Sequence, residues 1–225
     1  MRTNNTSRMT VSAVMLALST VLAVVCALIP FLNLPFGGGF TVASMLPIII
    51  VSYMYGVRWG FFAAFTYSVI QILMDLSLGT NASTILALFT PSSDDYMGLV
   101  AAIAILALDY LVAYTILGIG GIFRDRVENK TVALCLGSVV ALSARYLVHI
   151  VSGYIFYGAW AEWFFSQEGF YAIGESILAT FNGQGLAVIY SIFYNGLYMI
   201  PEIVITAVAA AIVSRLPVVA KKTLS

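Results

Sequence analysis

Six apolar runs take up most of this chain, and the longer ones leave room for little besides a bundle of membrane-crossing helices. They cover roughly 9–30, 42–56, 59–77, 98–122, 132–158 and 186–213. A helix rises about 1.5 Å per residue, so about 20 apolar residues cross a hydrocarbon core of about 30 Å. The second run is short for a full crossing. Only Gly56, Val57 and Arg58 separate it from the third, which predicts a tight helical hairpin. No strand-like alternation recurs, which argues against a β-barrel. The expected fold is all-α: one transmembrane domain over residues 1–225, an integral membrane bundle of six helices. The first run lacks a convincing small-residue cleavage site and is expected to remain as a span rather than be removed.

Composition agrees with this and excludes other classes. Hydrophobic residues make up 61% of the chain and charged ones 9%, where a soluble domain carries about 25% charged residues. Ten Lys and Arg balance ten Asp and Glu without a basic tract, so nucleic acid is not an expected partner. The charges orient the bundle. With the N-terminus in the cytoplasm, nine of the ten basic residues fall inside: Arg2, Arg8, Arg58, Arg124, Arg126, Lys130, Arg215, Lys221 and Lys222. Asp94, Asp95, Glu162, Glu168 and Glu175 fall outside. This is the positive-inside pattern of a multi-pass cell-membrane protein with both termini cytoplasmic. Cys26 and Cys135 then lie near opposite surfaces and are not expected to pair.

The outer loops, about 31–41, 78–97 and 159–185, are the long ones. The last holds Trp160, Trp163, Phe164, Phe165, Phe170 and Tyr171. These aromatics suit either a headgroup-level anchor or a lid over a site. No GxxxxGK[ST], HExxH or GxSxG pattern occurs. An ATPase site, a metal site and a catalytic nucleophile are therefore not expected, and no cofactor is implied.

Polar residues inside the spans are the candidates for function. Counted at the helical rise, Asp109 lies roughly 16 Å below the outer end of the fourth helix, and His149 and Asn195 roughly 13 Å below those of the fifth and sixth. An acid, an imidazole and an amide thus reach one level in the outer half. Tyr110, Tyr157 and Tyr190 lie at or above it. Such a set suits a flat, partly cationic solute, with a carboxylate for charge and aromatic faces for stacking. Each Tyr is equally compatible with an interfacial anchor, and the His with a structural helix contact. Tyr190 and Asn195 lie about 140° apart around an ideal helix, so a wide cavity or a local distortion is required. Arg145 and Glu202 lie deeper and close in level, which predicts a structural ion pair beneath the site. Asp75, at a helix end, is expected to face water. On the first helix Ala13, Ala17, Thr20 and Ala27 form a small-residue stripe, suited to internal packing or to docking another membrane protein.

These segments resemble a known family. Gly37-Gly38 through MLPIIIVSYMYGVRWG, LDYLVAY at 108–114, ARYLVHIVSGYIFYGAWA at 144–161 and IYSIFYNGLYMIP at 189–201 are similar, in order, to the thiamine-specific binding subunit of energy-coupling-factor transporters. The resemblance implies high-affinity capture of thiamine from outside, without enzymatic activity of its own. It implies docking, through Ala13 and Ala17, on a transmembrane coupling subunit that works with two cytosolic ATPases. It implies Asp109, Tyr110, His149, Tyr157, Tyr190 and Asn195 as substrate contacts, with Phe40 as an aromatic from the first outer loop. Other readings are a binding subunit for another vitamin or a thiamine precursor, and a proton-driven porter working through Asp109, His149 and Glu202.

Overall fold

The structure, a computed structural model, describes residues 5–34, 39–78 and 82–220. Arg2, Gly37, Gly38, Lys221 and Lys222 lie outside them. Five helices are long and apolar enough to cross a membrane: α1 (Asn5–Ala27), α3 (Val57–Leu78), α5 (Leu99–Gly121), α6 (Lys130–Phe156) and α9 (Gly183–Val213). A sixth apolar helix, α2 (Leu46–Tyr55), is shorter. Among the described residues no strand forms beyond one isolated bridge, Asn33 with Gly39. The spans follow the apolar runs to within a few residues. The segments at about 78–97 and 159–185 are not irregular loops, because they fold in part into short helices: α4 (Ala82–Phe89), α7 (Ala161–Phe165) and α8 (Tyr171–Thr180). Their apolar stretches are too short to span.

The shortness of α2 organises the bundle. All ten of its residues are buried, and at about 1.5 Å per residue it reaches only about half-way across the hydrocarbon. The irregular chain just before it is buried at Ala43, Ser44 and Met45 and lines the cavity at Gly39, settings in which non-helical backbone is tolerated at membrane depth. Thr41 in that stretch donates its backbone N–H and its hydroxyl to Glu202 of α9, which is 1% exposed. At the other end Gly56, with φ of +90°, reverses the chain directly into α3. Glycine is the natural occupant of that conformation.

The fourth of the six apolar helices, α5, is not uniform. It is α-helical over Leu99–Leu106, π-helical over Ala107–Val112 and 3₁₀ over Ile116–Gly121. The 3₁₀ stretch lies against α2, where Ser52 Oγ donates to Gly118 O and accepts from Gly121 N. A Cβ at Gly121 would collide with the Ser52 backbone, so glycine is what permits this approach. The basic residues cluster where α2 turns into α3. Arg8 lies 4.4 Å from the Trp59 ring and 5.5 Å from the Tyr55 ring, and Arg124 donates to Met54 O.

On α1 the buried residues are Ser12, Ser19 and Cys26, a seven-residue repeat facing the bundle. Ala13 and Ala17 are exposed on another side. Those two alanines therefore do not serve internal packing, whereas Thr20 and Ala27 of the stripe are partly buried. Cys26 and Cys135 are both free thiols.

Candidate binding site

A cavity of about 530 Å³ opens among α3, α5, α6 and α9 and the helical loops above them. Asp109, His149 and Asn195, placed at one depth by helical rise, all line it, as do Tyr110, Tyr157 and Tyr190, placed at or above that level. The π-helical turn of α5 carries Asp109 and Tyr110. A π turn widens the helix locally, and such turns recur at functional sites. Here two consecutive side chains both reach the cavity.

The floor is a hydrogen-bonded chain of side chains. Asp109 Oδ1 lies 3.0 Å from His149 Nδ1, and Asp109 Oδ2 accepts from Ser152 Oγ at 2.9 Å. The Asp109 side chain is 21% exposed and that of His149 9%, so the carboxylate is the part presented to the cavity. Asn195 ties α9 to α6: its Nδ2 donates to His149 O at 3.2 Å and to Ser191 O at 2.8 Å, and its Oδ1 accepts from the Tyr198 hydroxyl. A Cβ on Gly153 would collide with Ser191 Oγ and crowd Asn195. Glycine there lets α6 and α9 close against each other beside the cavity.

The walls are aromatic. Tyr190 and Tyr194 lie 5.6 Å apart, and Tyr194 and Tyr198 6.3 Å apart, along one face of α9. Tyr110 and Tyr114 repeat the pattern on α5 at 6.3 Å. Trp160 and Trp163 line the cavity from the loop after α6, 5.9 Å from each other. Next to them Phe164 and Phe165 are fully buried, and Phe164 packs edge-on against Tyr190 at 5.3 Å. Buried anchors behind partly exposed, cavity-lining tryptophans are compatible with a lid over the cavity and with a headgroup-level anchor.

Several expectations are corrected. Arg145 and Glu202 form no direct ion pair. Glu202 is turned to Thr41 and Thr206. Arg145 donates through Nε to His149 Nε2 at 3.1 Å, directs Nη1 at Met45 Sδ, and lies 3.9 Å over the Tyr114 ring. Equal depth on two helices says nothing about which way each side chain turns. Asp75 does not simply face water. It lines the cavity, and its Oδ2 accepts from the Tyr110 hydroxyl at 2.8 Å. In the first outer loop Gly39 lines the cavity and Phe40 does not. Tyr190 and Asn195 both line it from a continuous helix, so the cavity is wide enough without a local distortion. Tyr114, Tyr194, Tyr198, Arg145 and Asp95 also line the cavity, beyond the residues expected there. The signal was present for the tyrosines, since 190, 194 and 198, like 110 and 114, are spaced by one helical turn. Among the described residues no group of three His, Cys, Asp or Glu side chains converges to hold a metal.

The family model described as thiamine transporter protein (Thia_YuaJ) matches residues 9–169. The chain is similar to the thiamine transporter ThiT of Bacillus subtilis (strain 168), at 28% identity over 216 residues, 91% of this chain and 90% of the relative. Its fold is similar to that of the solved ThiT from Listeria monocytogenes, at a TM-score of 0.56 and 19% identity, covering 92% of this chain and 97% of the other.

Proposed function

The chain belongs to the thiamine transporter protein (Thia_YuaJ) family, and from that premise we propose that its cavity captures thiamine with high affinity from outside the cell, as the binding subunit of an energy-coupling-factor transporter. The protein is a multi-pass membrane protein. The observation that carries the reading is the Asp109 carboxylate, fixed by His149 and Ser152 in a wall of tyrosines. Thiamine joins a cationic thiazolium ring to a flat aminopyrimidine. A fixed carboxylate offers it a counter-charge and an acceptor for the amine, and the rings of Tyr110, Tyr157, Tyr190 and Tyr194 offer π faces. Tyr157, Tyr190 and Asn195 act as further contacts or as the frame that shapes them.

The outward orientation is supported by the charge pattern. Acidic and aromatic loops surround the cavity, while Arg8 and Arg124 sit at the α2–α3 turn. Docking on a coupling subunit, driven by two cytosolic ATPases, is supported by the exposure of Ala13 and Ala17. Small side chains allow helices to approach closely in lipid. Mass spectrometry of small molecules released from the purified protein tests the ligand, with thiamine the expected product. Release of a thiazole or pyrimidine fragment instead would reassign the vitamin. In proteoliposomes the pure protein should not accumulate thiamine. Uptake driven by a pH gradient without ATP would replace the binding-subunit reading with a porter.

A further inference from the structure

Arg145 is 7% exposed at the cavity floor and is left without the ion pair expected of it. Its Nε–H points instead at the ring nitrogen of His149, one helical turn further along α6. The chemistry of that contact decides where the histidine proton sits. A guanidinium has donors only. Nε2 of His149, 3.1 Å away, therefore accepts through its lone pair. A neutral imidazole has one such nitrogen and an imidazolium has none. The proton is thus on Nδ1, 3.0 Å from Asp109 Oδ1, and is donated to that carboxylate. Ser152 donates to the other oxygen. Arg145, His149 and Ser152 follow one another at four and three residues, so one face of α6 presents the whole relay to the π turn of α5.

We infer that Arg145 is a positioning residue: it fixes His149 as the neutral Nδ1–H tautomer and, through it, holds the Asp109 carboxylate oriented for a cationic, hydrogen-bond-donating ligand. The identity of the ligand rests on the proposed thiamine reading. The tautomer is a property of the protein alone.

A consequence concerns charge. The groups facing His149 are Asp109 from α5, Arg145 from its own helix, and Tyr198 from α9, whose ring lies 5.9 Å away. A second proton on the imidazole would set N–H against the N–H of Arg145, two like charges in a buried site. It would also place a positive charge beside an incoming cation. The neutral imidazole of the relay leaves the floor without a second cation.

The chain contains one histidine, so nitrogen NMR of imidazole-labelled, full-length protein in detergent reads this residue alone. Without added ligand the wild type should show the Nδ1–H tautomer at neutral pH. An Nε2–H tautomer, or an imidazolium at neutral pH, would overturn the inference. Arg145→Met removes the donors but keeps a long apolar side chain. It should give mixed tautomers, and thiamine affinity lowered about tenfold, as for losing one hydrogen bond in a charged chain. Arg145→Lys should restore part of both. An unchanged spectrum and affinity in Arg145→Met would also overturn the inference. If Arg145→Met does not fold, the wild-type spectrum still decides. The expected tautomer in a wild type that does not bind thiamine would sink the ligand reading and leave the positioning role standing. The opposite pairing would do the reverse.

Discussion

The hydroxyl of Tyr110 donates to Asp75 Oδ2 at 2.8 Å, joining the π turn of α5 to the last turns of α3 across the cavity wall. Asp109, carried by that turn, and Asp75, bonded to it, are thus two carboxylates of one cavity, with Asp95 as a third. The cationic side chain in the lining, Arg145, is engaged with His149, Met45 and Tyr114.

This acidic lining should favour free thiamine over its diphosphate. Asp75→Asn should weaken thiamine by about 1 kcal/mol, as for losing one partly solvated charge partner, and should narrow its advantage over the diphosphate. Competition binding on wild type and variant measures both. A diphosphate that binds more tightly than thiamine to the wild type would reveal a phosphate-binding feature at the cavity that the acidic side chains do not suggest.

The cavity tryptophans make a spectroscopic prediction. The chain has three tryptophans. Trp160 and Trp163 line the cavity, whereas Trp59 donates to Ser12 Oγ beneath Arg8 at the α2–α3 turn. Thiamine should therefore change the emission of the first two and leave Trp59 as a constant background. Replacing Trp160 and Trp163 by Phe should remove most of the signal while affinity falls less than about tenfold, since Phe retains the apolar ring. A signal that survives in the double variant would locate the reporter elsewhere.

What could be read from the residues alone was mostly axial. The spans, the brevity of α2 and the common depth of Asp109, His149 and Asn195 all follow from apolar length and a fixed rise per residue. Rotation about each helix does not. Arg145 and Glu202 share a level, yet one turns to His149 and the other to Thr41. Asp75 was assigned to water because it lies at a helix end, and only the packing of α5 against α3 brings Tyr110 to it. The π turn left no mark in the apolar pattern of its span. The helices inside the outer loops are stabilised by burial of residues such as Phe164 and Phe165, a tertiary effect that no local run of eight or fewer apolar residues announces.

Capture and transport should separate on α1. Ala13 and Ala17 are exposed and stand apart from the cavity lining. Ala13→Trp or Ala17→Trp should abolish ATP-driven thiamine uptake in cells, because a bulky side chain blocks close helix approach. Detergent-solubilised variants should bind thiamine as the wild type does. Unchanged uptake would move the docking face to another helix. Loss of binding as well would mean that the substitution disturbs the bundle.

The central claim is that Asp109 anchors a cation in this cavity, and titration calorimetry on Asp109→Asn tests it most directly. Thiamine should bind the wild type at one site. Asp109→Asn should weaken thiamine by about 2–5 kcal/mol, the range for removing one partner of a buried charge pair, while a neutral analogue of the same shape loses much less. Equal losses for the charged and neutral ligands, or wild-type affinity in the variant, would contradict the account.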